Sequence, residues 1–397
     1  MSGADTTRVL EELDSLAGDA STADFVFLFY GQGHDDTAIA DFVRRRLSTA
    51  AVVGGTSCSG VMTADGLAGP DSIGMLTVAD PDGAYGAASA PLGDDPAAAA
   101  EVALNAALDA ADCSGELPEL VWVFQPPGQE EAVIEGLRRI VGDRCPILGG
   151  SSADDDVSGR WRQLGPDGPL VDHVVVGVLF SSGGIGVAFQ GGYEPTGASG
   201  VVTALGRTSD DGGSSATLDG RHILEIDGEP AVDVYNRWLG DTLDHNVVAS
   251  GGNILEATTL SPLAVDAGKI DEVAHFRLIH PAAVTPKGGL TTFASVDVGT
   301  RLYGMRGDRE RLVRRVGKVA AAAAASTSVS EAAGALIVYC GGCLLAVGDD
   351  AGQVARTAAE SLAGAPLLGC FTFGEQGMLL GQNVHANLMI SAIVFGR

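Results

Sequence analysis

One segment pattern occurs three times in this chain and restricts its fold more than any other feature. A short apolar run is followed by a stretch of helical spacing, then by a second apolar run that ends in glycine and small polar residues. In the first copy, Phe25 to Tyr30 (FVFLFY) leads to Ile39, Phe42, Val43 and Leu47, then to VVGGTSCSG, Val52 to Gly60. In the second, Leu120 to Phe124 (LVWVF) leads to Val133, Ile134, Leu137 and Ile140, then to ILGGSSADD, Ile147 to Asp155. The third has Ala335 to Tyr339 (ALIVY), a helical stretch around Val354, Ala355, Ala358 and Leu362, then LLGCFTFGE, Leu367 to Glu375. A further apolar run follows each copy: IGMLTV from Ile73, VVVGVLF from Val174 and ANLMISAIVF from Ala386. Runs this short and this rich in Val, Ile and Phe, separated by about three helical turns, predict strand, crossover helix and parallel strand, with another strand alongside. Their unbroken apolar character indicates strands covered on both faces. The expected class is α/β, with mixed, largely parallel sheets built from repeated strand-helix-strand modules flanked by helices, in two domains.

Residues about 196 to 330 lack the pattern. Gly212 to Ser215 (GGSS) lies in a Gly-, Ser- and Asp-rich stretch that reads as a junction. After it come the strand His222 to Ile226, a turn at Asp227 and Gly228, and a helix through Val234, Tyr235 and Leu239 with Pro230 in its first turn. Strands at Phe276 to Ile279, Leu290 to Ser295 and Arg301 to Met305 precede a helix from about 309 to 326, capped by Asp308. The boundary is expected near 205, giving domains 1–205 and 206–397. Val9, Leu10, Leu13 and Leu16 place an amphipathic helix at the start.

Charge narrows the function classes. The chain has 34 Asp and 17 Glu against 21 Arg and 3 Lys, a net charge of -27. A hydrophobic content of 46% still supports a folded, soluble protein. Dense carboxylates suit strong salt, where screening removes self-repulsion, so the surface is halophile-like. A nucleic-acid partner is disfavoured because phosphate binding needs clustered cations, and Arg44 to Arg46 and Arg306 to Arg315 read as solvated helix faces. Six cysteines without a leader-like start fit reduced thiols and a cytoplasmic location, and no apolar run is long enough to span a membrane.

The order of motifs resembles the FIST family, sensory proteins with an N-terminal and a C-terminal FIST domain. VVGGTSCSGVM and ILGGSSADD carry the first domain. The second is carried by LEIDGEPAVDVYNRWLG (Leu224 to Gly240), Cys340, LLGCFTFGEQG (Leu367 to Gly377) and the last strand with His385. The resemblance implies a stand-alone small-molecule sensor for amino acids or similar polar metabolites. Its relatives often sit beside kinase, cyclase or chemotaxis outputs; none is recognised here, so a separate signalling partner is expected. The family usually places an arginine three positions beyond the cysteine, where this chain has Cys343. Some FIST proteins are reported to use haem for gas sensing, and His385 would be its first ligand here.

Loops after parallel strands are where open α/β sheets hold ligands. The site is therefore expected at Gly55, Thr56, Ser57 and Cys58, at Gly150, Ser151, Ser152 and Asp154, and at Tyr235, Cys340, Phe371, Phe373, Gly374 and Glu375. The two Gly-Gly loops would offer N–H and hydroxyl donors to a carboxylate. Glu375, Tyr235 and Asp154 would take an ammonium, Phe371 and Phe373 would exclude water, and binding would change the angle between the domains. Asp154 to Asp156 also read as a solvated acidic run. No catalytic residue is assigned. The enzymatic alternative is a hydrolase or transferase using Cys58 with His385 as base, although no histidine spacing identifies a base. No cofactor is expected apart from the haem alternative. Cys340 and Cys343 form a C-x-x-C that would suit redox pairing, or zinc if joined by Cys370 and His385.

Overall fold

The computed structural model of the chain describes residues 5–16, 22–206, 220–326 and 329–397. The three expected modules fold alike. Phe25–Tyr30 pairs in parallel with Ala51–Thr56, Leu120–Gln125 with Ile147–Ser151, and Ala332–Cys340 with Leu367–Thr372. Between the paired strands run the helices Asp36–Arg46, Glu130–Val141 and Ala351–Ser361. The run after each module returns antiparallel on the other side of its first strand, as Ile73–Val78, His173–Phe180 and Met389–Gly396.

Those three pairs are the parallel strand pairs among the described residues; the other strand ladders are antiparallel. The expectation of largely parallel sheets is corrected accordingly. Each crossover helix supplies one parallel step, while the longer connections that follow bring the next strand back antiparallel on the far side of the first. Residues 194–306 add a nine-stranded antiparallel sheet that the modular pattern did not announce.

Two six-stranded sheets take strands from both sides of residue 205. Val61–Thr63 joins the third module beside Leu367–Thr372, and Ile185–Gly191 joins it beside Met389–Gly396. Glu375–Leu379 pairs with Ile147–Ser151 of the second module. Glu194–Leu205 and His222–Ile226 are neighbours in the nine-stranded sheet. The GGSS stretch at 212–215 lies outside the described residues.

Side-chain alternation explains how the modules pack. Phe25, Phe27 and Phe29 from the first, Trp122 and Phe124 from the second, and Leu336 and Val338 from the third meet in one buried core. Ring centroids lie 5.2 Å apart for Phe27 and Trp122 and 5.6 Å for Phe29 and Phe124. The intervening residues, Val26 and Leu28, Val121 and Val123, Ile337 and Tyr339, face the outer layers of helices. Trp122 is 0% exposed within this core, which draws on all three modules.

In the strand registers, Gly54, Gly149 and Gly369 are equivalent, opposite Leu28, Val123 and Ile337. A Cβ at Gly54 would stand 1.9 Å from the Leu28 carbonyl oxygen, and one at Gly149 would stand 1.8 Å from that of Val123. Packing alone requires these two glycines. No helix among the described residues is long and apolar enough to cross a membrane.

Candidate functional site

The loops that end the three parallel pairs meet at one end of the modules. Ser57 Oγ accepts from Phe371 N at 2.8 Å, Ala153 N donates to Thr56 O at 3.1 Å, and Ser151 N donates to Gly374 O at 2.8 Å. A Cβ on Gly150 would be 2.4 Å from Thr372 Cγ2, and one on Gly55 would be 2.7 Å from the Phe124 ring. Beside this junction opens a cavity of 540 Å3. Its wall takes Cys58, Ser59, Asp154 and Asp155 from the first two loops and Phe373 from the third. Asn253, Leu255, His280 and Phe293 come from the nine-stranded region, and Cys340 and Leu344 from the start of the helix Gly341–Val347.

Of the fourteen expected site residues, Cys58, Asp154, Cys340 and Phe373 line this cavity. The others stand behind it or apart from it. Thr56 Oγ1 accepts from Arg162 N at 3.0 Å, and Ser57 Oγ donates to Gly60 O. Ser151 Oγ donates to Glu130 at 2.7 Å, and Ser152 Oγ to Gln125 O at 3.1 Å. Phe371 packs edge-on to Tyr339. Tyr235 is buried in the separate core of the nine-stranded region, where its hydroxyl donates to Ser261 O at 2.6 Å.

The expected carboxylate cradle is not formed. The loop N–H groups of Thr56, Ser57, Ser151, Ser152 and Ala153 already donate to backbone carbonyls, and Ser59 N donates to Asp155. Glu375 is 0% exposed and absent from the cavity wall, so it does not face a ligand ammonium there. It accepts from Thr372 Oγ1 at 2.9 Å and from Met389 N at 3.1 Å. Burial, reinforced by the neighbouring Cys340, pushes its carboxyl well above the ordinary value, which favours the neutral acid.

The cavity wall has a definite polarity. It contains the carboxylates Asp154 and Asp155 and no Lys or Arg. Asp154 Oδ2 accepts from Gly159 N at 2.8 Å and Arg160 N at 2.9 Å, while its Oδ1, also buried, has no hydrogen-bond partner. His280 Nε2 donates to Leu255 O at 3.1 Å, and burial lowers its pKa to about 4. The ring is therefore neutral, with Nδ1 as an acceptor beside Gly342. Leu255, Phe293, Leu344 and Phe373 give the remaining wall an apolar character. Sequence reasoning missed His280, Asn253 and Phe293, which belong to antiparallel strands and turns with no distinctive spacing.

Cys58 offers no activated nucleophile. Burial raises its thiol, its Sγ points to Phe371 O at 3.8 Å, and His385 is bonded elsewhere. The His385 ring Nδ1 is 3.0 Å from Glu131, and its side chain is fully enclosed and absent from the cavity wall. Cys340, Cys343, Cys370 and His385 do not form a ligand set. Among the described residues, the single group of three or more His, Cys, Asp or Glu with ligand atoms within 4.8 Å of one another is Glu130, Glu131 and His385. An arginine fills that group: Arg221 Nη2 bonds Glu130 at 2.7 Å and also bonds Glu131. This cluster secures Ser151 through Glu130 and was invisible in the sequence, because Arg221 and His385 lie far along the chain from Glu131.

Among solved structures, the chain is similar to cyanuric acid hydrolase from A. caulinodans at 11% identity, covering 99% of this chain and 97% of that one, with a TM-score of 0.33. It is also similar to PurLQS from Thermotoga maritima at 11% identity, covering 79% and 72%, with a TM-score of 0.23. Likenesses this distant carry no functional argument. No curated protein matches. The FIST N domain matches residues 24–229 and the FIST C domain residues 231–378, so the chain belongs to the FIST family.

Proposed function

We propose that the chain is a signal-transduction sensor whose ligand is a small amine-bearing metabolite, an amino acid or a related amine, held in the 540 Å3 cavity. The observation that carries this reading is the composition of the wall. Residues 58–59 and 154–157 belong to the FIST N match, and 253–348 and Phe373 to the FIST C match. A ligand there touches both domains at once. Two carboxylates and a neutral His280 acceptor, with no Lys or Arg in the wall, suit an ammonium group, and the Leu and Phe residues suit an apolar body.

Hydrogen-bonded ladders join the two halves of the chain, so a hinge between them is a poor carrier of the signal. The helix Gly341–Val347 is a better one. Its Gly341, Gly342, Leu344 and Leu345 line the cavity, and Ala346 O accepts from Arg309 of the preceding helix, Arg309–Ala324, at 3.3 Å. A ligand that binds one placement of this helix more tightly would shift its population.

Trp161 reports on the site because its ring stands edge-on to Phe373, with centroids 6.1 Å apart. Titration with a panel of amino acids and their decarboxylated amines should give a saturable change in tryptophan emission for at least one amine. The change should disappear in Trp161→Phe while calorimetric binding persists. A panel that leaves both emission and heat unchanged would refute the assignment.

A further inference from the structure

Another cavity, of 390 Å3, has a different chemistry. It is lined by Gly192, Tyr193, Arg311, Arg314, Arg315 and Lys318. The four cations sit at i, i+3, i+4 and i+7 of the helix Arg309–Ala324 and so form one stripe. Like charges at these spacings repel, and the chain places them together although it has only 24 basic residues against 51 acids.

Arg311 and Arg314 have carboxylate partners in Glu194 and Glu310, at 2.7 Å and 2.6 Å. Arg315 has none: its guanidinium donates to the amide oxygen of Gln190 at 2.7 Å, and its buried Nε lacks a partner. Lys318 takes part in no ion pair among the described residues. Burial and the adjacent Arg311 hold Arg315 below the usual arginine value, as expected of a guanidinium short of negative charge. The Gly192 backbone closes against the helix: a Cβ there would stand 2.8 Å from Leu312 and 3.6 Å from Arg315 Cβ. A compact, concave wall that carries four cations and no carboxylate, with an Arg315 donor unspent, matches a phosphate group better than a carboxylate-bearing surface.

We infer that this cavity is a binding site for a small phosphate-bearing anion. It is independent of the ligand proposed for the first cavity. The shared chemistry is the phosphate group, and free pyrophosphate and a nucleoside diphosphate present it from different sources.

Calorimetric titration of the full chain with pyrophosphate and with ADP, at the lowest salt that keeps the far-ultraviolet spectrum folded, tests the inference. Saturable one-to-one binding is expected. Arg314→Gln/Lys318→Gln should weaken it about tenfold or more, on the scale of lost charged contacts. Both side chains are exposed, so this variant should fold. Arg44→Gln/Arg45→Gln removes the same charge from a distant exposed helix face and should leave affinity within about twofold. Tighter binding of ADP than of pyrophosphate would identify a phosphate ester as the source, and equal affinity would identify the free anion. Absence of saturable binding, or equal losses in the two variants, would overturn the site.

Discussion

Arg221→Met is the most informative perturbation of the scaffold behind the site. Arg221 is 5% exposed and Glu130 2% exposed, and the guanidinium is bonded to both Glu130 and Glu131. Methionine keeps most of the volume but strands the buried Glu130 carboxylate and its neighbour Glu131 without the guanidinium that bonds both. Removing one member of a buried ion pair costs about 3–5 kcal/mol, because the charge left behind has been desolvated without compensation. At roughly 2.1 cal/mol/K of unfolding entropy per residue over the whole chain, that corresponds to about 4–6 °C in the midpoint. Urea denaturation at several pH values is the decisive assay. Burial alone would raise both carboxyls, yet the charges of His385 and Arg221 outweigh it and hold Glu130 and Glu131 below their ordinary values. In the native protein their stabilisation is therefore complete above the unfolded carboxyl pKa of about 4.3 and fades as the pH falls through it toward the folded values. In the variant, burial without the guanidinium raises the Glu130 carboxyl, so protonation relieves the damage. The difference between the two proteins should be largest near neutrality and should shrink toward about pH 4.5. A loss below about 1 kcal/mol, or one independent of pH, would refute the reasoning.

Three further outcomes follow from the same account. With a net charge of -27, the thermal midpoint should rise markedly between about 0.1 M and about 2 M KCl, and a flat profile would contradict a surface limited by self-repulsion. Native alkylation with iodoacetamide should label Cys113, which is partly exposed, and spare the five buried cysteines; modification of Cys58 at the rate of a free thiol would favour the enzymatic alternative. Trp122→Ala should cost about 3–5 kcal/mol by urea denaturation, because its side chain fills the point where three sheets meet, and a loss under about 1 kcal/mol would place the core elsewhere.

The modules were legible because each strand is buried on both faces, so FVFLFY and LVWVF are continuously apolar. What joins the modules was not legible. Val61–Thr63 is too short to carry a period, yet it ties the first module to the third, and the pairing of Glu375 with Gly150 spans most of the chain. Long-range antiparallel pairing leaves no local signature, so the sheets appeared more parallel than they are. At the site, the loops were found through their glycines, but the donors assigned to a ligand turned out to serve the loops themselves. Tyr235 shows the same limit. A tyrosine in a distinctive motif is here a core residue with its hydroxyl satisfied by Ser261. Asp154 was legible as part of an acidic run, whereas His280 entered the wall only through tertiary packing.

The central claim is that the cavity between the FIST N and FIST C segments holds an amine. It is tested most directly by a thermal-shift panel of amino acids, amines and carboxylates lacking nitrogen, run on the native chain and on Asp154→Asn. A ligand at 100 times its dissociation constant adds about 2.7 kcal/mol, or about 3 °C for a chain of this size. The account predicts such a shift for one or more amine-bearing compounds, reduced in Asp154→Asn, and none for the carboxylates. Stabilisation by the carboxylates alone, or by amines equally in both proteins, would contradict it.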